Sequence, residues 1–132
     1  MFDALGISGS GMHLHKTWMD AISDNIANVN TVRPTSERAF QSRYVIAESV
    51  ENGSTGAGVA VGGIALSSGE GRITYDPSSP LADENGMVRM SDVDLGEQLT
   101  TMIMAERGYQ ANIASLDRVR AAYEAAIQMG RG

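Results

Sequence analysis

From Leu95 to Ile127, alternating steps of four and three residues pick out Leu95, Leu99, Met102, Glu106, Tyr109, Ile113, Leu116, Arg120, Tyr123 and Ile127. Eight of these ten are apolar or aromatic, which makes a heptad seam sustained over more than four repeats. A helix from Asp94 to Met129 would run about 54 Å at ~1.5 Å per residue, a long rod for so small a chain. Asp92 or Asp94 suits the N-cap, Glu97 follows Asp94 by three places as in a capping box, and Gly130 suits the stop. Beside the seam runs a second stripe of mostly small residues: Thr101, Ala105, Gly108, Asn112, Ser115, Val119, Ala122 and Ala126. Since successive helical residues advance by about 100°, the helix offers two adjoining contact faces.

The N-terminal segment has the same character. Leu5, Met12, Met19 and Ile26 recur every seven residues, and Ser8, His15, Ile22 and Val29 stand three places after each. Ile7, Leu14, Trp18 and Ala21 fall on a largely different side, so this helix of about 40 Å wants neighbours on two sides. Its first turns hold Gly6, Gly9 and Gly11, each costing up to ~1 kcal/mol against alanine. Such an end frays unless tertiary or intermolecular packing holds it. Gly108 makes the same point for the C-terminal helix.

Residues 33–93 read differently. "VENGSTGAGVAVGG" is rich in Gly and Ser, "VAVGGIAL", "RITY" and "MVRM" read as short strands, and "RYVIA" is a candidate fourth. Asn85-Gly86 is a tight-turn signal, and the two prolines of "DPSSPLADENG" forbid regular helix there. The expected fold is therefore mainly α: two long terminal helices forming an antiparallel coiled-coil-like hairpin, with a small β-rich insert between them. The expected organisation is an N-terminal helix in residues 1–32, an insert with a flexible Gly/Ser segment in 33–93 and a C-terminal helix in 94–132. The two helices would pack together as one core.

Charge and composition exclude several functions. The net charge is −6 and each of those three segments is acidic, with Lys16 the only lysine. That argues against a nucleic-acid or anionic-lipid surface, which needs clustered Lys and Arg. No cysteine is present, so neither a disulfide framework nor a thiolate metal site exists. No stretch is long and apolar enough to span a bilayer, and "MFDALGISGSG" has no basic n-region, so any export would follow a route other than a Sec-type signal.

No constellation of catalytic, cofactor-binding or metal-binding residues emerges. His13 and His15 point about 200° apart on a helix, whereas two imidazoles sharing a metal need i,i+4 spacing. "GAGVAVGG" lacks the Gly-Lys-Ser/Thr ending of a phosphate-binding loop, and Asp83, Glu84, Asp92 and Asp94 miss the spacing of a calcium loop and read as solvated. Glu106 and Arg120 are the two charges in the seam, about 21 Å apart by rise, too far to pair within one helix. Pairing with another chain, to fix register, is the reading of interest; a wet helix face is its alternative.

Three stretches together, "SDNIANVNT" (23–31), "YDPSSPLADENGMV" (75–88) and "RGYQANIASL" (107–116), resemble the flagellar basal-body rod proteins. The likeness covers essentially the whole chain, and the order and length fit a short proximal-rod member. The first and third motifs are shared among axial proteins generally, whereas the central pattern is the specific one. Met87 stands where the family often has an aromatic residue, Ser91-Asp92 where Pro-Asn is commoner, and Gly108 where serine is commoner.

The resemblance implies a non-enzymatic subunit, exported unfolded through the flagellar type III apparatus and assembled helically into the rod that crosses the periplasm and transmits torque. It implies that the partners are copies of itself, the other rod proteins and the adaptor joining the rod to a membrane ring. The assembly interface expected on this basis comprises Leu5, Met12, Met19, Ile22, Asn25, Ile26 and Asn28 of the first helix. From the second helix it takes Leu95, Leu99, Met102, Glu106, Tyr109, Gln110, Asn112, Ile113, Leu116, Arg120, Tyr123 and Ile127. The carboxamides of Asn25, Asn28, Gln110 and Asn112 would cap or cross-link neighbouring backbones, since each donates and accepts at once. The rival from another class is a secreted helical hairpin that binds a single protein partner.

Overall fold

A computed structural model of the chain describes residues 2–132. The described elements are, in order, α1 (Phe2–Ala27), β1 (Val32–Arg33), β2 (Arg43–Asn52), β3 (Thr55–Leu66), β4 (Arg72–Tyr75), β5 (Met87–Met90) and α2 (Leu95–Gly130). The terminal helices lie where the heptad spacing puts them. At the start of α2 the Asp94 carboxylate accepts the Glu97 N–H at 3.0 Å, so Asp94 is the N-cap. The helix ends at Gly130.

The expected fold class is corrected by the structure. Helix makes up 47% of the chain and strand about 24%, the strands forming two antiparallel sheets, so the chain is not a mainly α coiled-coil hairpin carrying a small insert. A coiled coil would bury the large residues of its seam as knobs. Here Leu95, Leu99, Ile113, Tyr123 and Ile127 of α2 are all exposed. The insert is sizeable because β2 and β3, of 10 and 12 residues, pair along their length as a ribbon. Small and polar residues along those strands mask their strand pattern in the sequence.

Two compact units divide the chain, and both helices and the ribbon contribute to each. One consists of Met1–Met19, Val45–Gly63 and Ile103–Gly132; the other of Asp20–Tyr44 and Ile64–Met102. The second unit holds the three-stranded sheet, in the order β1-β5-β4. Central β5 pairs antiparallel with both neighbours, Val32 and Arg72 each facing Met90. Val88, at the middle of β5, is 1% exposed. Ala21, Ile22 and Ala39 are the other buried apolar side chains of this unit, while Asn25, Ser42, Ser91 and Gln98 are buried polar ones. A core so poor in large apolar groups must hold by hydrogen bonds as well as by burial.

The turn-rich loop between β4 and β5 is built around Asp83. Its Oδ1 accepts the N–H groups of Asn85 and Met87, both at 2.9 Å, and its Oδ2 accepts the Thr35 hydroxyl at 2.9 Å. Gly86 takes φ +74°, a conformation open to glycine at little cost, and its N–H and C=O bond to Asp83 and Asp76. Asp83 is exposed, as expected of a charge in a solvated loop, and its hydrogen bonds also organise that loop. The N–H of Met87, opposed by some desolvation and aided by the Thr35 hydroxyl and the Asn85 N–H, holds the Asp83 carboxyl below the ordinary carboxylate range.

Linkage gives this a sign. A depressed native pKa contributes stability that is present above the unfolded value and lost as pH falls through the native one. Asp83→Asn should therefore weaken the acid dependence of unfolding below about pH 4, where an unperturbed Asp titrates. Denaturant melts from acid to neutral pH check this, the wild-type and variant curves converging at the acid end.

Candidate functional site

In the first unit the two helices meet through their small residues. A Cβ built on Gly108 would lie 2.1 Å from His15 Nε2, and one built on Gly11 would lie 2.5 Å from Asn112 Oδ1. Real Cβ contacts never come that close, so each glycine provides the gap that the polar side chain of the other helix fills. The arrangement is reciprocal. His15 Nδ1 lies 2.7 Å from the Gly11 carbonyl, and since a carbonyl only accepts, Nδ1 carries the hydrogen. Asn112 Nδ2 donates to the Gly108 carbonyl at 2.8 Å. Each polar side chain bonds back to the glycine four residues earlier on its own helix and covers the glycine of the other. Ala105, in the same stripe, is fully buried.

The ribbon is held to α1 in this unit. Ser10 Oγ donates to the Ile7 carbonyl at 2.7 Å and accepts the Val59 N–H at 3.1 Å. Val45 and Ala47 of β2 face Leu14, His15 and Trp18 across an apolar groove. The Trp18 and His15 rings lie 6.1 Å apart. A second apolar groove is lined by Phe2 and Leu5 of α1 and by Leu116, Val119, Arg120 and Tyr123 of α2. Beyond Arg120 every residue of α2 is exposed.

The second unit contains the buried carboxamide. Asn25, 1% exposed, receives the Arg43 N–H on Oδ1 at 2.8 Å and donates through Nδ2 to the Arg43 carbonyl at 2.9 Å and to Gln98 Oε1 at 3.0 Å. Its side chain thereby takes the place of a neighbouring strand at the first residue of β2, and it also ties α1 to α2. Both of its N–H donors and its oxygen are bonded, as a buried amide requires. Arg43 Nε also pairs with Asp24 Oδ2 at 3.1 Å, but both side chains are more than a third exposed, which limits that pair to roughly 0–1 kcal/mol. Asn28 closes α1, donating to the Asp24 carbonyl and accepting from the Thr31 hydroxyl.

The interface residues expected from sequence fall into two sets. Ile22 and Asn25 are buried; Leu5, Met12, Met19, Ile26, Asn28, Met102, Tyr109, Asn112 and Leu116 are half-buried. Leu95, Leu99, Glu106, Gln110, Ile113, Arg120, Tyr123 and Ile127 are exposed. Gln110 donates to Glu106 at 3.5 Å, and Arg120 pairs with Glu124 at 3.1 Å, both on the surface of α2. Gln98, Gly11 and Ser10 were missed. Gln98 was legible, since one further step of three before Thr101 along the small stripe lands on it; Ser10 carried no signal apart from its ribbon partner.

Two long helices that meet through small and polar residues and leave large apolar side chains exposed suit a structural subunit. Comparisons with known proteins give the family. The flagella basal body rod protein model matches residues 5–35, and the flagellar basal body rod FlgEFG protein C-terminal model matches residues 84–129. The flagellar basal-body rod protein FlgC of Aquifex aeolicus is 30% identical over 125 residues, covering 94% of this chain and 92% of the relative. FlgC of Salmonella typhimurium is 26% identical over 132 residues, with 99% and 98% covered, and FlgC of Bacillus subtilis is 25% identical over 147 residues, with 98% of each covered. The chain belongs to the FlgC family of flagellar basal-body rod proteins and is a structural subunit of that rod.

Two sets of variants test the contacts. Asn25→Ala leaves both backbone groups of Arg43 and the Gln98 amide without partners, and should cost about 1–3 kcal/mol for each group left unsatisfied in denaturant unfolding. Gly108→Ala should displace the His15 ring and change the fluorescence of Trp18, the only tryptophan. Gly9→Ala, where a Cβ meets nothing within 4 Å, should leave that fluorescence unchanged and stabilise α1 by up to ~1 kcal/mol.

Proposed function

We propose that this rod subunit polymerises through the faces of α1 and α2 that its own fold leaves uncovered. The observation that carries the reading is the row of large apolar side chains exposed along α2. Leu95, Leu99, Ile103, Ile113, Tyr123 and Ile127 are between 36% and 51% exposed. Exposed apolar side chains scattered singly are ordinary, but a row along one long helix marks an interaction surface. The full expected interface, Leu5 to Asn28 on α1 and Leu95 to Ile127 on α2, belongs to this proposal.

On this reading the terminal helices form the inner tube of a helical, torque-transmitting rod, and residues 33–93 face outward. Its partners are further copies of the chain, other rod proteins and the adaptor to a membrane ring. The subunit reaches the periplasmic space through the flagellar type III apparatus without a cleaved signal and performs no catalysis. No described helix is long and apolar enough to cross a membrane.

Within the interface, Glu106 and Arg120 are assigned to register. Their present partners, Gln110 and Glu124, are exposed neighbours on the same helix whose bonds weigh only a few tenths of a kcal/mol, so both can exchange them for groups on another chain.

Ile113→Asp should leave the far-ultraviolet circular dichroism of the purified chain unchanged while abolishing incorporation into basal bodies and swimming. Arg120→Glu should reduce both, with the sheet unit still folded. Normal incorporation of Ile113→Asp would remove the exposed row of α2 from the interface.

A further inference from the structure

The chain contains two identical tripeptides, Glu51-Asn52-Gly53 and Glu84-Asn85-Gly86, and the fold treats them differently. Asn followed by Gly is the dipeptide in which the backbone nitrogen most easily attacks the preceding side chain, because glycine puts no Cβ in the way. The reaction needs a Gly N–H free to lose its proton and an Asn able to bring Cγ onto that nitrogen.

At Asn85 the fold opposes both requirements. The Gly86 N–H donates to the Asp83 carbonyl at 2.9 Å, the Asn85 N–H donates to Asp83 Oδ1 at 2.9 Å, and the Gly86 carbonyl accepts the Asp76 N–H at 2.8 Å. The peptide on either side of Asn85 is thus pinned.

Asn52 is exposed, on the rim of a cleft it shares with Phe2, Asp3 and Gly6 of α1. Asn52 ends β2 and Thr55 begins β3, so Gly53 and Ser54 form a two-residue loop. Gly53 has φ +67° and, among the described residues, none other than glycine has positive φ, which makes the turn type II′. In this turn the first central N–H points away from the ladder into water. Residues 46–57 are all exposed, and the end of a two-stranded ribbon opens readily.

We propose that Asn52 is a site of spontaneous modification at the ribbon tip and that Asn85 is protected from it. Hydroxide removes the Gly53 N–H proton, and the nitrogen attacks Asn52 Cγ and expels ammonia, closing a succinimide. Water then opens the ring at one carbonyl or the other, giving aspartate or isoaspartate. The net change is one water consumed and one ammonia released. Either product sets a new carboxylate beside Glu51. Isoaspartate also adds a carbon to the main chain, which shifts the register of the β2–β3 pairing at the turn.

The test is incubation of the purified full chain at mildly alkaline pH, with peptide mapping by mass spectrometry and isoaspartyl methyltransferase labelling over time. In the folded chain Asn52 should convert at least about tenfold faster than Asn85, and in denaturant the two rates should come together. Asp83→Ala, which frees two of the N–H groups around Asn85, should raise the Asn85 rate and leave that of Asn52 unchanged. Equal rates in the folded chain would overturn the proposal. So would a preference that persists unchanged in denaturant, since local sequence and not the fold would then set it.

Discussion

The Asn25 carboxamide is the constraint on which the sheet-bearing unit depends. Among the described residues, the buried apolar side chains are Ala21, Ile22, Ala39, Val88 and Ala105, of which none is larger than isoleucine. Burial on that scale, at about 25 cal/mol per Å² of apolar surface, leaves little to set against the entropy of ordering a chain. Asn25 adds direction to what burial supplies. By accepting from the N–H and donating to the C=O of one residue, Arg43, it fixes where β2 begins, and through Gln98 it fixes the rotation of α2 about its axis. An apolar residue of the same size would fill the space but specify neither. Buried amides elsewhere define register in the same way, at a cost in stability.

The reciprocal pairing of Gly11 with Asn112 and of Gly108 with His15 does for the helix pair what Asn25 does for the sheet unit. It spends small residues on intramolecular contact, and this frees the large ones. A coiled-coil seam uses Leu and Ile inside the hairpin and leaves Ala and Gly on the surface; here the assignment is reversed. Gly108 and Ala105 face inward, while Leu99 and Ile113 face out. That reversal is why the heptad pattern gave the positions of the helices correctly and their packing wrongly. Periodicity shows that a face is apolar, but not whether the same chain or another one covers it.

How much else was legible follows the same division. The Asp94 cap, the Gly130 stop, β4, β5 and the turn before Met87 could all be read, because each rests on local chemistry between residues a few places apart. The motifs around Asn25 and Asn112 could be singled out by resemblance, but not what they bond to, since Arg43 lies 18 residues and Gln98 73 residues from Asn25. The ribbon was half-read: "RYVIA" and "VAVGGIAL" looked like strands, but Glu48, Ser49 and Gly56 carry no period-2 pattern. Their pairing is decided by the turn at Gly53 and by the Ser10 contact with Val59, neither of which propensity registers.

The two findings meet in the function. A rod subunit has to present apolar surface to its neighbours and yet remain specific before it meets them. If Leu, Ile and Tyr side chains also built its own core, alternative packings that turn the wrong face inward would compete with the native one. Placing carboxamides, an imidazole and glycines at the internal contacts removes that competition, since none of the exposed apolar residues fits a gap the width of a missing Cβ or satisfies the backbone N–H and C=O of Arg43. On the proposed reading, the weak internal core and the open apolar face are consequences of one choice: the strongest non-directional interaction is left for contacts between chains, and the directional ones are kept within the chain.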